Sequence, residues 1–103
     1  MSNTNNSQNI IESLEKVEHP AIATTLLNLG MLRGIGVTSD KKVTLTMVLP
    51  FPSIPDNVRD YMVNSLAAAA QSAGGELAKV NLAVMNEAER QKFLTKEQQN
   101  WRG

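Results

Sequence analysis

The chain contains no cysteine. That absence excludes disulfides, thiolate nucleophiles, cysteine-ligated zinc and any iron–sulfur cluster held by thiolates of this chain. Histidine is nearly missing too: His19 is the only one in 103 residues. A nucleophile–histidine–carboxylate relay therefore has a single candidate base, and a histidine-rich metal site has no material. Charge of either sign is not in excess, since ten Lys and Arg balance ten Asp and Glu. A neutral chain lacks the basic footprint on which nucleic-acid and anionic-membrane binding depend, so neither is expected as a partner. No apolar run approaches the roughly 20 residues of a membrane span. Residues 1–9 are polar, without the basic start and apolar core of a signal peptide. Cytoplasmic residence is the expectation. Near-neutrality also removes a repulsive barrier to self-association, so a homo-oligomer remains open.

What is present is enough for one ordinary core, with 42% hydrophobic residues in a length that suits a single domain. Residues 1–6 read as a disordered lead-in. Ser7 is a candidate N-cap, after which Ile10, Ile11, Leu14 and Val17 recur at helical spacing until Pro20 stops the helix. A loop follows, with one helical turn near residues 24–28 and a break at Gly30. Residues 32–38 and 42–49 alternate like strands and are joined by the turn Ser39-Asp40-Lys41, which makes a hairpin. Three prolines within Pro50-Phe51-Pro52-Ser53-Ile54-Pro55 exclude a regular element there. Pro55 fits the first position of a second helix, and the alanine run 67–70 has high helix propensity. Gly74-Gly75 supplies its left-handed stop. Residues 76–85 form a third strand.

The tail, residues 87–103, is expected to be helical in two pieces, opened by the capping-box spacings Asn86 with Glu89 and Thr95 with Gln98. The fold class is thus α/β of the two-layer α+β kind, α-β-β-α-β. A three-stranded mixed sheet carries two helices on one face, with residues 7–86 as the domain. The second sheet face is expected to need cover. The tail, with Phe93, Leu94 and Trp101, is expected either to fold back over that face or to dock on another subunit or partner.

Three stretches, in this order and spacing, resemble the small iron–sulfur cluster assembly domain family. Its members include SufT- and PaaD-type proteins and the N-terminal domain of Mrp/ApbC-type P-loop ATPases. Residues 11–20, ending Glu18-His19-Pro20, resemble the family's helix running into an Asp-Pro-Glu turn. Leu26-Leu27-Asn28-Leu29-Gly30-Met31-Leu32 resembles its Val-Asp-Leu-Gly-Leu-Val string. Residues 50–59, followed by Leu66 and the Gly-Gly stop, resemble its Cys-Pro loop and helix. Two departures stand out. Ile54 occupies the place of the cysteine before Pro55, and His19 that of the acidic residue before Pro20. The resemblance therefore implies the fold and a protein-interaction role, with an assembly factor or P-loop ATPase as partner, but not thiol-dependent cluster handling.

The candidate partner-binding residues are Glu18, His19, Asn28, Gly30, Ile54, Pro55, Asp56 and Arg59. Asn28 and Gly30 are expected to face the proline loop and form a shallow groove beside the second helix's N-terminus, with Arg59 one turn inside. The plainer reading of that pair is a positive-φ glycine and an asparagine that bonds the backbone. His19 with Glu15 or Glu18 could serve acid–base work, against a solvated loop histidine on a charged helix end. Arg33-Gly34-Ile35-Gly36 lacks the strand–turn–helix context and the lysine of a phosphate loop. No catalytic residue, metal site or cofactor is expected. The function so implied is a non-catalytic accessory or adaptor in iron–sulfur cluster assembly and protein maturation, acting by protein–protein contact. The alternative is a structural or regulatory protein-binding domain unrelated to clusters.

Overall fold

The computed structural model describes residues 3–101 of the chain, and the side chains of residues 7–101. Its elements run α1 Asn3–Glu15, β1 Leu32–Val37, β2 Lys42–Leu49, α2 Asp56–Ser72, β3 Glu76–Val84 and α3 Glu87–Asn100. The strands form one mixed sheet in the order β1-β2-β3, with β1 antiparallel and β3 parallel to β2. The sequence pattern and the structure agree on this α-β-β-α-β order with a helical tail.

β2 alternates because its two faces meet different surroundings. Val43, Leu45 and Met47 are buried, while Thr44 and Thr46 between them are partly exposed. α1 and α2 lie together on the buried side, joined to each other and to β1 and β3 respectively. α1 contributes Ile10 and Leu14; α2 contributes Met62, Leu66 and Ala70. The alanine run lets the helices approach closely, and the Ser13 hydroxyl donates to the Ala69 carbonyl at 2.9 Å. α2 ends as its Gly-Gly signal predicts. Gly74 takes φ +93°, its N–H bonds the Gln71 carbonyl, and Gly75 N–H bonds the Ala70 carbonyl, the paired bonds of a Schellman stop.

The structure differs from the sequence reading at four points. α1 begins at Asn3, ahead of the Ser7 cap, and takes in residues read as lead-in. No glycine or proline interrupts that polar run, so a helix anchored through Ile10 and Leu14 extends backward at small cost per residue. Pro55 is the N-cap of α2, one position before the helix, with no side chain capping the first turn. The tail is one helix, because the Thr95 hydroxyl bonds back to the Gln91 carbonyl instead of opening a new helix. Only the Asn86–Glu89 capping box forms, with both reciprocal bonds present.

The fourth difference concerns cover. The second sheet face presents Arg33, Thr44, Thr46, Lys79 and Asn81, which share it by strand register. Thr44 and Thr46 are partly exposed and Lys79 and Asn81 exposed, while Val48 on the same side is buried and Arg33 is held by Glu89 of α3, so most of the face is polar and open. Beyond that contact the tail docks on the loops before β1 and after β2. Trp101 makes an isolated antiparallel bridge to Ile22, and Ala23 N–H donates to the Asn100 carbonyl at 2.7 Å. Phe93 is buried in the core by this docking, whereas Trp101 remains 56% exposed.

Gly75 is required for a steric reason. A Cβ there would lie 2.9 Å from Ile10 Cδ1 and 3.2 Å from the Lys41 carbonyl oxygen. Gly75→Ala is expected to lower stability by about 1–3 kcal/mol through overpacking, read as a fall in the urea midpoint at unchanged slope.

Candidate functional site

Two irregular segments and the tail converge at the end of the sheet where β2 finishes. The first segment, residues 16–31, is pinned by an isolated bridge between Glu18 and Thr25 and by His19 N–H bonding the Thr24 carbonyl at 3.1 Å. The His19 ring turns back on its own loop, where Nδ1 accepts the Ala21 N–H at 3.0 Å. That bond assigns the proton of the neutral ring to Nε2. Ile22, Leu26, Leu29 and Met31 anchor the segment in the core.

The second segment is the proline loop 50–55. Its prolines lack N–H groups and cannot organise it by backbone bonding, so another element must hold it. Arg90 of α3 does so. Its Nε donates to the Pro50 carbonyl at 2.9 Å and Nη2 to the Met85 carbonyl at 3.2 Å. The guanidinium also lies 5.5 Å from the Phe51 ring centroid, within cation–π range, while Glu87 holds Nη1 at 2.8 Å. Nothing in the local sequence around Arg90 signals a contact 40 residues away.

Between these segments lies a half-open cleft of about 200 Å³. Ala21 and Met31 line it from the first segment, and Phe51, Ile54 and Pro55 from the second. Val58 and Met62 of α2 and Phe93 and Trp101 of the tail complete the apolar wall, with His19 and Glu97 as its polar groups. A second, shallower and more polar hollow of about 380 Å³ adjoins His19 and includes Glu18, Tyr61 and Ser65.

The structure thus brings His19, Ile54 and Pro55 into one cleft, with Glu18 in the adjoining hollow. Asp56 and Arg59 sit on the first turn of α2 and pair with each other at 3.1 Å. Asn28 and Gly30 line neither hollow. The Asn28 side chain donates to the Thr24 hydroxyl at 2.8 Å, and the Asn28 backbone carbonyl accepts from Lys96 Nζ at 2.7 Å. Gly30 adopts φ +79°, with Met85 at contact distance from where a side chain would start. Pattern reading missed Met31, Arg90, Phe93 and Glu97. Met31 reads from the pattern as packing and Phe93 as part of the tail's apolar surface, while nothing in the local sequence singles out Arg90 or Glu97.

An apolar wall with two polar groups at a half-open mouth suits the capture of an apolar side chain. Among the described residues no group of three or more His, Asp or Glu is placed to hold a metal ion. A thiolate-ligated cluster does not fit here either. The residue before Pro55 is Ile54, half-buried against the core, and the chain supplies no sulfur donor but methionine.

These features define a small α+β domain whose loops and tail shape an apolar cleft beside a more polar hollow. The family model described as iron–sulfur cluster assembly protein matches residues 7–82, and the chain belongs to that family. Membership ties it to iron–sulfur cluster assembly. No curated protein matches the chain at a significant level. The matched range stops before α3, so the Phe93, Glu97 and Trp101 side of the cleft comes from outside it. Among the described residues no helix is long and apolar enough to cross a membrane.

Two outcomes follow from this geometry. Arg90→Ala is expected to cost about 1–3 kcal/mol by orphaning the Pro50 and Met85 carbonyls. It should also speed amide exchange selectively in residues 51–57. Glu89 gives a pH dependence. Its carboxyl is held below the usual carboxylate range, first by the Asn86 backbone N–H and then by the charge and hydrogen bond of Arg33. A depressed folded value means that Glu89 stabilises the fold above the ordinary carboxylate range and loses this as pH falls through the lowered value. The difference in thermal midpoint between wild type and Glu89→Ala should therefore be full at neutral pH and vanish under acid.

Proposed function

We propose that the chain is a non-catalytic accessory or adaptor protein of iron–sulfur protein maturation that works by protein–protein contact. The cleft between His19, Ile54 and Trp101 is the contact site, and it receives an apolar side chain from the partner. The partner is a protein of the assembly system, an assembly factor or a P-loop ATPase. The observation that carries this reading is the cleft itself. Its wall is apolar, its volume matches one large side chain, and Phe51 and Trp101 at its mouth are 43% and 56% exposed. Aromatic groups left half in water beside a preformed apolar recess are the composition of an interface hot spot.

The chemistry of the residues supports an adaptor over an enzyme. The Ser65 hydroxyl shares the polar hollow with His19, but the bond from Ala21 N–H to Nδ1 turns that ring nitrogen toward its own loop. A general base needs an accepting nitrogen within reach of the nucleophile's proton. The absent thiol means that this chain contributes surface to assembly, while cluster ligands come from the partner.

Affinity capture from native lysate tests the proposal when wild type is compared with Ile54→Glu and Trp101→Ala. The expected outcome is that iron–sulfur assembly proteins are retained by wild type and lost with Ile54→Glu, whose carboxylate is forced into the apolar wall. Trp101→Ala should reduce retention at least tenfold, the equivalent of about 1.4 kcal/mol, at an unchanged circular dichroism spectrum. Retention of assembly proteins by both variants, or a wild-type partner set without them, overturns the reading.

A further inference from the structure

The outer edge of β3 is an open sheet margin among the described residues. β3 is the longest strand, nine residues, and lies at the margin of the sheet; among the described residues no strand pairs with its outer side. An open edge presents a row of unpaired N–H and C=O groups, which proteins usually guard with proline, charge or a bulge. The opposite margin is guarded in this way. β1 is irregular between Arg33 and Gly36, and Arg33 is held by Glu89 at 3.0 Å. β3 has its irregularity early, opposite Val43 and Thr44, and pairs regularly with β2 from Lys79 to its end. Residues 80–84, Val-Asn-Leu-Ala-Val, hold neither charge nor proline. On the face shared with the helices, Leu82 and Val84 are 53% and 47% exposed, beyond the cover of α2.

We propose that β3 pairs antiparallel with β3 of a second copy of this chain, about a two-fold axis through Asn81, to give a continuous six-stranded sheet. The occupant is a second copy because the strand complements itself in this register. Val80 then stands opposite Leu82 of the other copy, apolar against apolar on the helix-bearing face. Asn81 meets its own equivalent on the polar face, where the two side-chain amides donate to and accept from each other. Lys79 falls opposite Ala83, so the two lysines never oppose one another. Glu76, already engaged by Lys42 of its own sheet, lies at the far end of the paired stretch. The chain carries no net charge to resist association. An isologous contact of this kind closes at two copies and leaves no β3 edge exposed.

The absence of cysteine makes the register directly testable. In antiparallel strands, directly opposite residues have Cα atoms about 4.5–5.5 Å apart, within disulfide range. Asn81→Cys under mild oxidation is expected to yield a disulfide-linked dimer, while Gln71→Cys, exposed on α2, stays monomeric. For the untouched chain, sedimentation equilibrium should show the mass rising with concentration from 11.2 kDa toward twice that value. Leu82→Lys should hold it at the monomer with an unchanged circular dichroism spectrum. A monomer at every concentration, a dimer indifferent to Leu82→Lys, or equal cross-linking of Gln71→Cys overturns the proposal. Amide protection of residues 79–84 that arises only when another protein is added also overturns it, assigning the edge to a foreign strand instead.

Discussion

β2 is the one strand hydrogen-bonded on both sides, and its buried row of Val43, Leu45 and Met47 is the floor on which both main helices rest. Each other element takes its place by reference to that strand. β1 is brought to it by a short hairpin whose turn tolerates Lys41 at φ 64°, and β3 by the α2 crossover. The requirement is physical: a two-layer domain of this length buries little surface elsewhere, so the central strand must be apolar on the helix side. It must also be tolerant of water on the other side. Thr44 and Thr46 meet that second demand, keeping β propensity while remaining wettable.

The constraint on β2 also explains where irregular structure collects. A strand buried to its last residue delivers the chain into Pro50 at the edge of the core, and three prolines then prevent the loop from satisfying itself. The loop consequently depends on a group from outside, and Arg90 meets two carbonyls and one aromatic ring at once. A guanidinium suits the task because its planar fork donates in several directions while its face stacks on a ring. The cleft is the by-product of this bracing. Each of its walls belongs to an anchored segment, and Trp101, held to Ile22 by a backbone bridge, leaves its ring half exposed at the mouth.

Family membership and the residue chemistry point in complementary directions. The matched range gives the domain and its association with iron–sulfur cluster assembly. The substitution of an apolar residue before Pro55 converts a position able to carry a soft ligand into part of a recess. What the recess offers is shape and apolar surface, and it is extended by a helix beyond the matched range.

Local signals were sufficient for the elements themselves. The period change at residues 32, 42 and 76, the Gly-Gly stop after α2 and the Asn86–Glu89 capping box each act within a few residues, which is why they can be seen in the sequence. The absence of cysteine by itself excludes thiolate chemistry from this chain. Tertiary structure alone decided that His19, Ile54 and Phe93 meet in one cleft and that Asn28 is turned away toward Lys96. It also decided that the tail braces two loops and meets the second sheet face at its margin, through Glu89 and Arg33. These outcomes rest on contacts between residues some tens of positions apart. Such contacts are selected by which apolar surfaces remain unburied once β2 and its helices have packed, a quantity that no local window of sequence contains.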